Sequence, residues 1–302
     1  MTGALDGRVA LITGGGRGIG REHALLLAAE GASVVVNDLG GAGDGSGADE
    51  AAARAVADEI VDAGGAAIAN TDSVSRFDGA AAMVAQAVEV FGDLHVVVNN
   101  AGILRDRMLV SMTEDDFDAV VAVHLKGTFN VTHNAATYWR DRSKLGAEVD
   151  RAIVNTSSGA GLHGNVGQTN YVAAKAGIAA MTIVNAAELR RYRVRANCIA
   201  PIARTRLTLA TPGIGEVMNQ PQFGPERISP LVAYLASADC PFSGQVFSVY
   251  GGGIGIYRGW SIAEDVGLDD VHGLDGLAEV MDTLPRRVKV RNQSSMLFGG
   301  DR

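Results

Sequence analysis

The sequence predicts an α/β fold, a single doubly wound parallel sheet with helices on both faces. Short β-branched apolar runs alternate with longer helical segments, and a glycine-rich turn separates the first run from the first helix. Polar residues suited to a ligand recur just beyond the carboxyl ends of the runs. Alternation of this kind demands right-handed crossovers and a sheet covered on both faces, with ligands bound at the strand ends.

Val9-Ala10-Leu11-Ile12 begins the first strand, 9–13, and Thr13-Gly14-Gly15-Gly16-Arg17-Gly18-Ile19-Gly20 leads into a helix over 18–29. Glycines let the backbone turn tightly and approach a pyrophosphate, while the free N–H groups and dipole at the helix start attract that anion. Gly14, Arg17, Gly18, Ile19 and Gly20 are therefore candidate cofactor contacts. The second strand, 33–38, closes on Val36-Asn37-Asp38. A carboxylate about twenty residues beyond the glycine turn accepts hydrogen bonds from an adenosine ribose and repels a 2′-phosphate. Asp38 thus favours NAD over NADP, against the opposite pull of Arg17.

A helix over 48–63, a strand over 66–70 and a helix over 76–91 come next, with Asp72 and Ser73 just past the strand. Asp72 could cap the helix that begins near Arg76. The strand 95–98 ends at Asn99-Asn100-Ala101-Gly102, where Asn100, Ala101 and Gly102 would let the adenosine side of a cofactor lie close to the backbone. After a helix over 114–138, the strand 152–157 closes on Asn155-Thr156-Ser157-Ser158. The helix 170–191 then opens with Asn170-Tyr171-Val172-Ala173-Ala174-Lys175. A spacing of four stacks the Tyr171 phenol and the Lys175 ammonium on one helix face. An isolated tyrosine, with a pKa of roughly 10, is a poor base at neutral pH, but a nearby cation favours its phenolate. Ser158, 13 residues before Tyr171, can face that phenol from its strand end. A strand over 195–200, a helix over 225–237 and a strand over 246–249 complete the pattern.

The 302 residues suit one such unit, read as a domain over 1–253 and a C-terminal extension over 254–302. With 47% hydrophobic residues there is ample core, yet no run approaches the ~20 unbroken apolar residues of a membrane span. Met1-Thr2-Gly3-Ala4-Leu5-Asp6 lacks the basic start and apolar stretch of a secretory signal, so a cytoplasmic protein with no membrane partner is expected. Cys198 and Cys240 have no metal-like spacing and read as buried thiols, with no metal site. A net charge of −8 argues against nucleic acid as a partner.

Four co-linear motifs, the glycine turn, Asn-Asn-Ala-Gly, Ser158 and Tyr-x-x-x-Lys, resemble the short-chain dehydrogenase/reductase family from about Gly7 to about Gly253. The resemblance implies a Rossmann-type sheet and hydride transfer between a secondary alcohol and nicotinamide. Ser158 would bind the substrate oxygen, Tyr171 would move its proton, and Lys175 would stabilise the phenolate and hold the nicotinamide ribose. It also implies that Asp72 touches the adenine and that Pro201 and Thr205 lie near the nicotinamide amide. Here the chain departs from the family, reading Pro201-Ile202-Ala203-Arg204-Thr205 where a glycine usually follows the proline. Residues 202–223 read as a substrate-covering loop.

Val36-Asn37-Asp38-Leu39-Gly40-Gly41, Asn99 through Arg107, Val123-His124-Leu125-Lys126-Gly127 and Gly164 through Gln168 resemble a narrower branch, the (3R)-hydroxyacyl-CoA dehydrogenases of multifunctional enzyme type 2. Many family members have asparagine at the place of His124, in a proton relay from Lys175 to solvent; His124 either shares that role or shapes the site. The branch implies NAD, an acyl-CoA substrate with Arg105 and Arg107 near its phosphates, and a homodimer or homotetramer paired through the helices 114–138 and 170–191. A hydroxysteroid or other secondary alcohol dehydrogenase, a 3-oxoacyl-carrier-protein reductase and a non-catalytic NAD-sensing regulator stay open. Ile254, Ile256, Tyr257, Trp260 and Ile262 are expected to pack on the body or a neighbouring subunit, and residues 299–302 to fray.

Overall fold

The central strands are short runs buried on both faces, so each supplies side chains to two cores at once. In β1 (Val9–Thr13), Ala10 and Ile12 face one layer while Val9 and Leu11 face the other. β2 (Ser33–Asn37) and β4 (Val96–Asn99) alternate in the same way, Val34, Val36, Val96 and Val98 against Val35 and Val97. This is the pattern of a parallel sheet sandwiched between helices. The computed structural model describes residues 3–209, 218–259 and 273–284.

Its single sheet has the order β3-β2-β1-β4-β5-β6-β7-β8, with β3 at Ala66–Asn70, β5 at Arg151–Thr156, β6 at Val194–Pro201, β7 at Val246–Tyr250 and β8 at Gly253–Ile256. All neighbours pair in parallel except β7 and β8. The order reverses between β1 and β4, and that switch point opens the crevice in which ligands bind in such folds. One face is covered by α1 (Gly18–Ala29) and α2 (Ala51–Asp62) through Leu27, Val56 and Ile60. The other is covered by α3 (Phe77–Phe91) and the long helix described next, through Met83, Val131 and Trp139.

The expected helix 114–138 is interrupted and longer. α4 (Glu114–Val121) starts in a capping box formed by Thr113 and Asp116, passes through a π-helical turn at Ala122–Lys126 and continues as α5 (Gly127–Lys144). One widened turn rotates His124 into the interior, where it is 2% exposed; such π-turns are frequent at functional sites. A short α6 (Gly159–His163) precedes α7 (Thr169–Leu189). Residues Thr169–Tyr192 have the length and hydropathy of a membrane span. They include the buried polar groups of Asn170, Lys175 and Thr182, and one face packs against the sheet through Ile178 and Ala179.

Past β6 the chain forms a turn of helix, α8 (Arg206–Leu209). The expected helix 225–237 is a 3₁₀ turn at Pro225–Arg227 followed by α9 (Ser229–Ala236). Two prolines explain the break, since Pro230 can sit only in the first turn of a helix. β8 was not expected: the sheet runs three residues past Gly253 as an antiparallel edge. Its Ile254 and Ile256 are 60% and 54% exposed, while Tyr257 folds back against the cluster of Ile178, Ala179, Cys198 and Val246. α10 (Gly273–Met281) is the last described element. Trp260, Ile262, Asp269, Pro285 and residues 299–302 lie outside the described residues, as do 210–217 of the expected covering loop.

Candidate active site

The carboxyl ends of β1, β2, β4, β5 and β6 converge on one cleft of about 290 Å³. Every residue expected to contact a cofactor lines it, from Gly14, Arg17, Gly18, Ile19 and Gly20 through Asp38, Asp72, Ser73, Asn100, Ala101 and Gly102 to Pro201 and Thr205. Ser158, Tyr171, Lys175 and His124 line the same cleft.

The glycine loop is held by Asn100 and Thr13. Asn100 Nδ2 donates to the carbonyls of Thr13 and Gly14 at 3.2 and 3.1 Å, and the Thr13 hydroxyl accepts from the N–H groups of Asn100 and Ala101 at 3.0 and 3.1 Å. A Cβ on Gly14 would stand 2.8 Å from Ala101 Cα, and one on Gly20 would collide with the Gly14 carbonyl. Gly18, at φ +56°, adopts the left-handed conformation, and Thr205 is its nearest neighbour across the cleft. The chain therefore approaches itself and the cleft as closely as bare backbone allows, with the first N–H groups of α1 turned to a prospective anion.

Asp38 holds the floor of the adenosine side. Its Oδ2 accepts from Gly16 N at 2.9 Å and its Oδ1 from Gly40 N at 2.7 Å. Each oxygen keeps a further lone pair for a ribose hydroxyl. Arg17 is turned away from this carboxylate, donating to the carbonyls of Gly40 and Gly41 and pairing with Asp49 at 3.0 Å. Asp72 does not cap α3, whose N-cap Arg76 has no side-chain cap. Its carboxylate instead accepts from Asn70 Nδ2 at 2.8 Å, because the Asx geometry after β3 turns it back toward the strand.

Lys175 is 3% exposed, and its Nζ donates to the Thr156 carbonyl at 2.6 Å. Burial of that ammonium lowers its pKa to about 8. The amine lies 5.6 Å from the centre of the Tyr171 ring, the neighbour relation expected from the spacing of four. The phenol, however, is pushed up rather than down. Burial is the largest cause, the Ser158 hydroxyl beside it acts in the opposite sense, and the charge of Asp106 adds to the rise. Desolvation outweighs the helix-face cation, since both groups share one low-dielectric pocket.

Of the two adjacent serines, Ser158 faces the cleft and caps α6 by accepting from Ala160 N at 3.2 Å. Ser157 packs behind, its hydroxyl donating to the Lys175 carbonyl at 2.7 Å and so tying β5 to α7. His124 stacks edge-on against Tyr171, with ring centres 5.2 Å apart and planes at 89°. Its Nε2 meets the backbone of Ile103, 3.0 Å from N and 2.8 Å from O. Burial and the nearby Lys175 lower its pKa to about 3, which leaves it neutral. A Cβ on Gly102 would strike this ring, so Gly102 and His124 fit as a pair.

Gln168, which the sequence placed in a branch motif without a role in the site, and Thr208, which it passed over, also line the cleft. Gln168, three residues before Tyr171, could have been found from its place at the helix start. The two thiols are free and buried, and burial drives that of Cys198 up to about 12. Among the described residues no group of three or more His, Cys, Asp or Glu side chains could hold a metal. Arg105 is committed to Asp115 and to the Asp44 carbonyl, whereas the Arg107 side chain is 60% exposed.

Residues 8–209 match the family model of the short chain dehydrogenases. The chain is 48% identical over 254 residues to the hydroxyacyl-CoA dehydrogenase ChsB1 of Mycobacterium tuberculosis, covering 82% of this chain and 78% of that protein. It is 45% identical over 239 residues to the peroxisomal multifunctional enzyme type 2 of Drosophila melanogaster, of which it spans 38%. The crystal structure of a short chain dehydrogenase from Mycobacterium avium superposes with a TM-score of 0.82 at 48% identity, over 95% of this chain and 99% of that one.

Proposed function

Because the chain belongs to the short-chain dehydrogenase family, oxidoreductases of the CH–OH group, we propose that it is an NAD-dependent 3-hydroxyacyl-CoA dehydrogenase. The observation that carries this reading is the convergence of Ser158, Tyr171 and Lys175 in one cleft with Asp38 at its far end. The likeness to a hydroxyacyl-CoA dehydrogenase over most of both chains supports the substrate class.

Bound NAD would supply the acceptor for the hydride of the carbinol carbon. The Ser158 hydroxyl orients the substrate oxygen and Tyr171 Oη takes its proton. Lys175 would hold the nicotinamide ribose and add positive charge beside the phenolate. Pro201 and Thr205 would lie near the nicotinamide amide and Asp72 near the adenine, with Ser73 lining the same part of the cleft. His124 acts here as the neutral clamp that fixes the backbone at Ile103 and the Tyr171 ring. Arg107, the more exposed of the two arginines, is the one that meets the CoA phosphates. Assays with NAD and NADP against 3-hydroxyacyl-CoA esters, free hydroxysteroids and simple secondary alcohols test the reading. Turnover confined to free steroids or simple alcohols would overturn the substrate class.

The favoured cofactor follows from Asp38, whose free lone pairs suit a ribose, and from Arg17, whose guanidinium is already paired with Asp49. Asp38→Ala should narrow the NAD/NADP preference. Lost charge-assisted hydrogen bonds cost ~1.5–3 kcal/mol, roughly tenfold or more in NAD affinity. A ratio of KM values for the two cofactors equal to the parent's would place the discrimination elsewhere.

The functional form is a homo-oligomer. Phe129 on α5 and Ile183 and Val184 on α7 are about half exposed, an apolar surface that a second copy would cover. The edge strand β8, with Ile254 and Ile256 exposed, offers a second apolar surface that a neighbouring subunit would cover. Removing residues after Gly253 also removes Tyr257, whose ring lies 5.4 Å from that of His163 on the helix capped by Ser158. Truncation should therefore lower the mass in solution and raise the substrate KM more than the NAD KM. A truncated protein with the parent's mass and both of its KM values would show the extension to be incidental.

A further inference from the structure

Asp106 sits on the loop leaving β4, and its carboxylate is only half satisfied. Oδ2 accepts from Gln168 Nε2 at 2.7 Å, while Oδ1 is buried with no hydrogen-bond partner among the described residues. Gln168 is 5% exposed, lines the cleft, and is held from its other end by Asn165, whose Nδ2 donates to Gln168 Oε1 at 2.8 Å. Backbone contacts fix the same junction: Arg107 bridges to Gln168, and Arg107 N donates to the Gly167 carbonyl at 2.9 Å. The loop carrying Asp106 is thus fastened to the start of α7, three residues before Tyr171.

The charge of Asp106 is not cancelled locally. Arg105 on one side is paired with Asp115, and Arg107 on the other lies 3.9 Å from Asp116 while touching only the backbone carbonyl of Asp106. Around Tyr171 the remaining groups are His124, neutral in its buried position, the Ser158 hydroxyl, and Lys175 one turn along the same helix. A partly desolvated, unneutralised carboxylate near a partly desolvated phenol opposes its ionisation. Both Asp106 and Tyr171 have their proton affinities raised, Asp106 by burial and Tyr171 by burial with Asp106 contributing.

We propose that Asp106 is a positioning residue for the reaction: its half-satisfied carboxylate fixes the Gln168 amide against the cleft and sets an unneutralised negative charge at the start of the helix that carries Tyr171. Such a charge favours the protonated phenol, the proton donor in reduction of the carbonyl, so the carboxylate sets how low in pH the enzyme can run the oxidation. The proposal rests on the reading of Tyr171 as the proton-transfer group.

Asp106→Asn removes the charge and keeps an oxygen that can accept from Gln168. Taking away a negative neighbour favours the phenolate, so the acid limb of kcat/KM for alcohol oxidation should move to lower pH. Rates at pH values on that limb should rise roughly threefold or more. The same movement should appear without turnover: the Tyr171 contribution to tyrosinate absorbance, taken as parent minus Tyr171→Phe, should titrate at lower pH in the Asn background. Should Asp106→Asn not fold, Asp106→Ser removes the same charge and is read in the same two ways. A limb and a titration midpoint both equal to the parent's would overturn the proposal. If Tyr171→Phe is inactive and the limb is unmoved, only the role of Asp106 fails; if Tyr171→Phe is active, the reading of Tyr171 fails first.

Discussion

Replacing Tyr171 with Phe is expected to lower kcat by roughly 10²–10⁴-fold, the usual worth of a positioned proton-transfer group, while NAD affinity stays close to the parent's. The substitution deletes one oxygen and keeps the ring that stacks edge-on against His124 and covers Lys175. Neither the glycine loop nor Asp38 touches the lost atom, so the adenosine half of the cleft is unaffected. The fold should tolerate the change, because no backbone hydrogen bond within the described structure depends on the hydroxyl that is lost. Turnover and NAD binding, measured on the same preparation, separate the two effects. Turnover within a few-fold of the parent would remove Tyr171 from the chemistry, and a parallel collapse of NAD affinity would mean that the ring had moved.

The parts of the site that lie close together along the chain were readable in the sequence. The glycine turn, the Asn-Asn-Ala-Gly stretch and the Tyr-Lys spacing each declare a local geometry, and all three end at the cleft. The sheet was equally readable, since its strands are runs of Val, Ile and Ala bounded by polar ends. What escaped was set by contacts between distant segments. The π-turn that buries His124 leaves no mark on apolar periodicity, and β8 carries glycine at alternate positions, which hides a strand. The direction in which the Tyr171 phenol is perturbed escaped for the same reason. Spacing shows that Lys175 is near, but only the packed structure shows that the lysine is buried, that the phenol is partly desolvated beside it, and that the charge of Asp106, 65 residues earlier in the chain, acts on that phenol.

Lys175→Met separates what this site costs the fold from what it does for the reaction. The ammonium is buried, and its pKa falls from 10.5 to about 8. A lowered lysine pKa means that the folded chain binds this proton less tightly than the unfolded chain does. Below pH 8 both states are protonated and the folded state carries the full burden of the buried charge. Between pH 8 and pH 10.5 the unfolded state keeps the proton that the folded state has released, so stability rises with pH. Across the whole interval the gain approaches about 3 kcal/mol, because a tenfold difference in proton affinity between the two states is worth about 1.4 kcal/mol. Methionine fills similar volume and has no proton to lose. From pH 7 to pH 10 the difference in unfolding free energy, parent minus Lys175→Met, should therefore move in the parent's favour by about 2–3 kcal/mol, as read from denaturant melts. Over the same range the variant should show almost no turnover and weakened NAD binding, since on the proposed mechanism it lacks both the charge beside the phenol and the donor for the nicotinamide ribose. A stability difference flat in pH would mean that Lys175 keeps an ordinary proton affinity in the folded chain. A variant as active as the parent would take the lysine out of the mechanism.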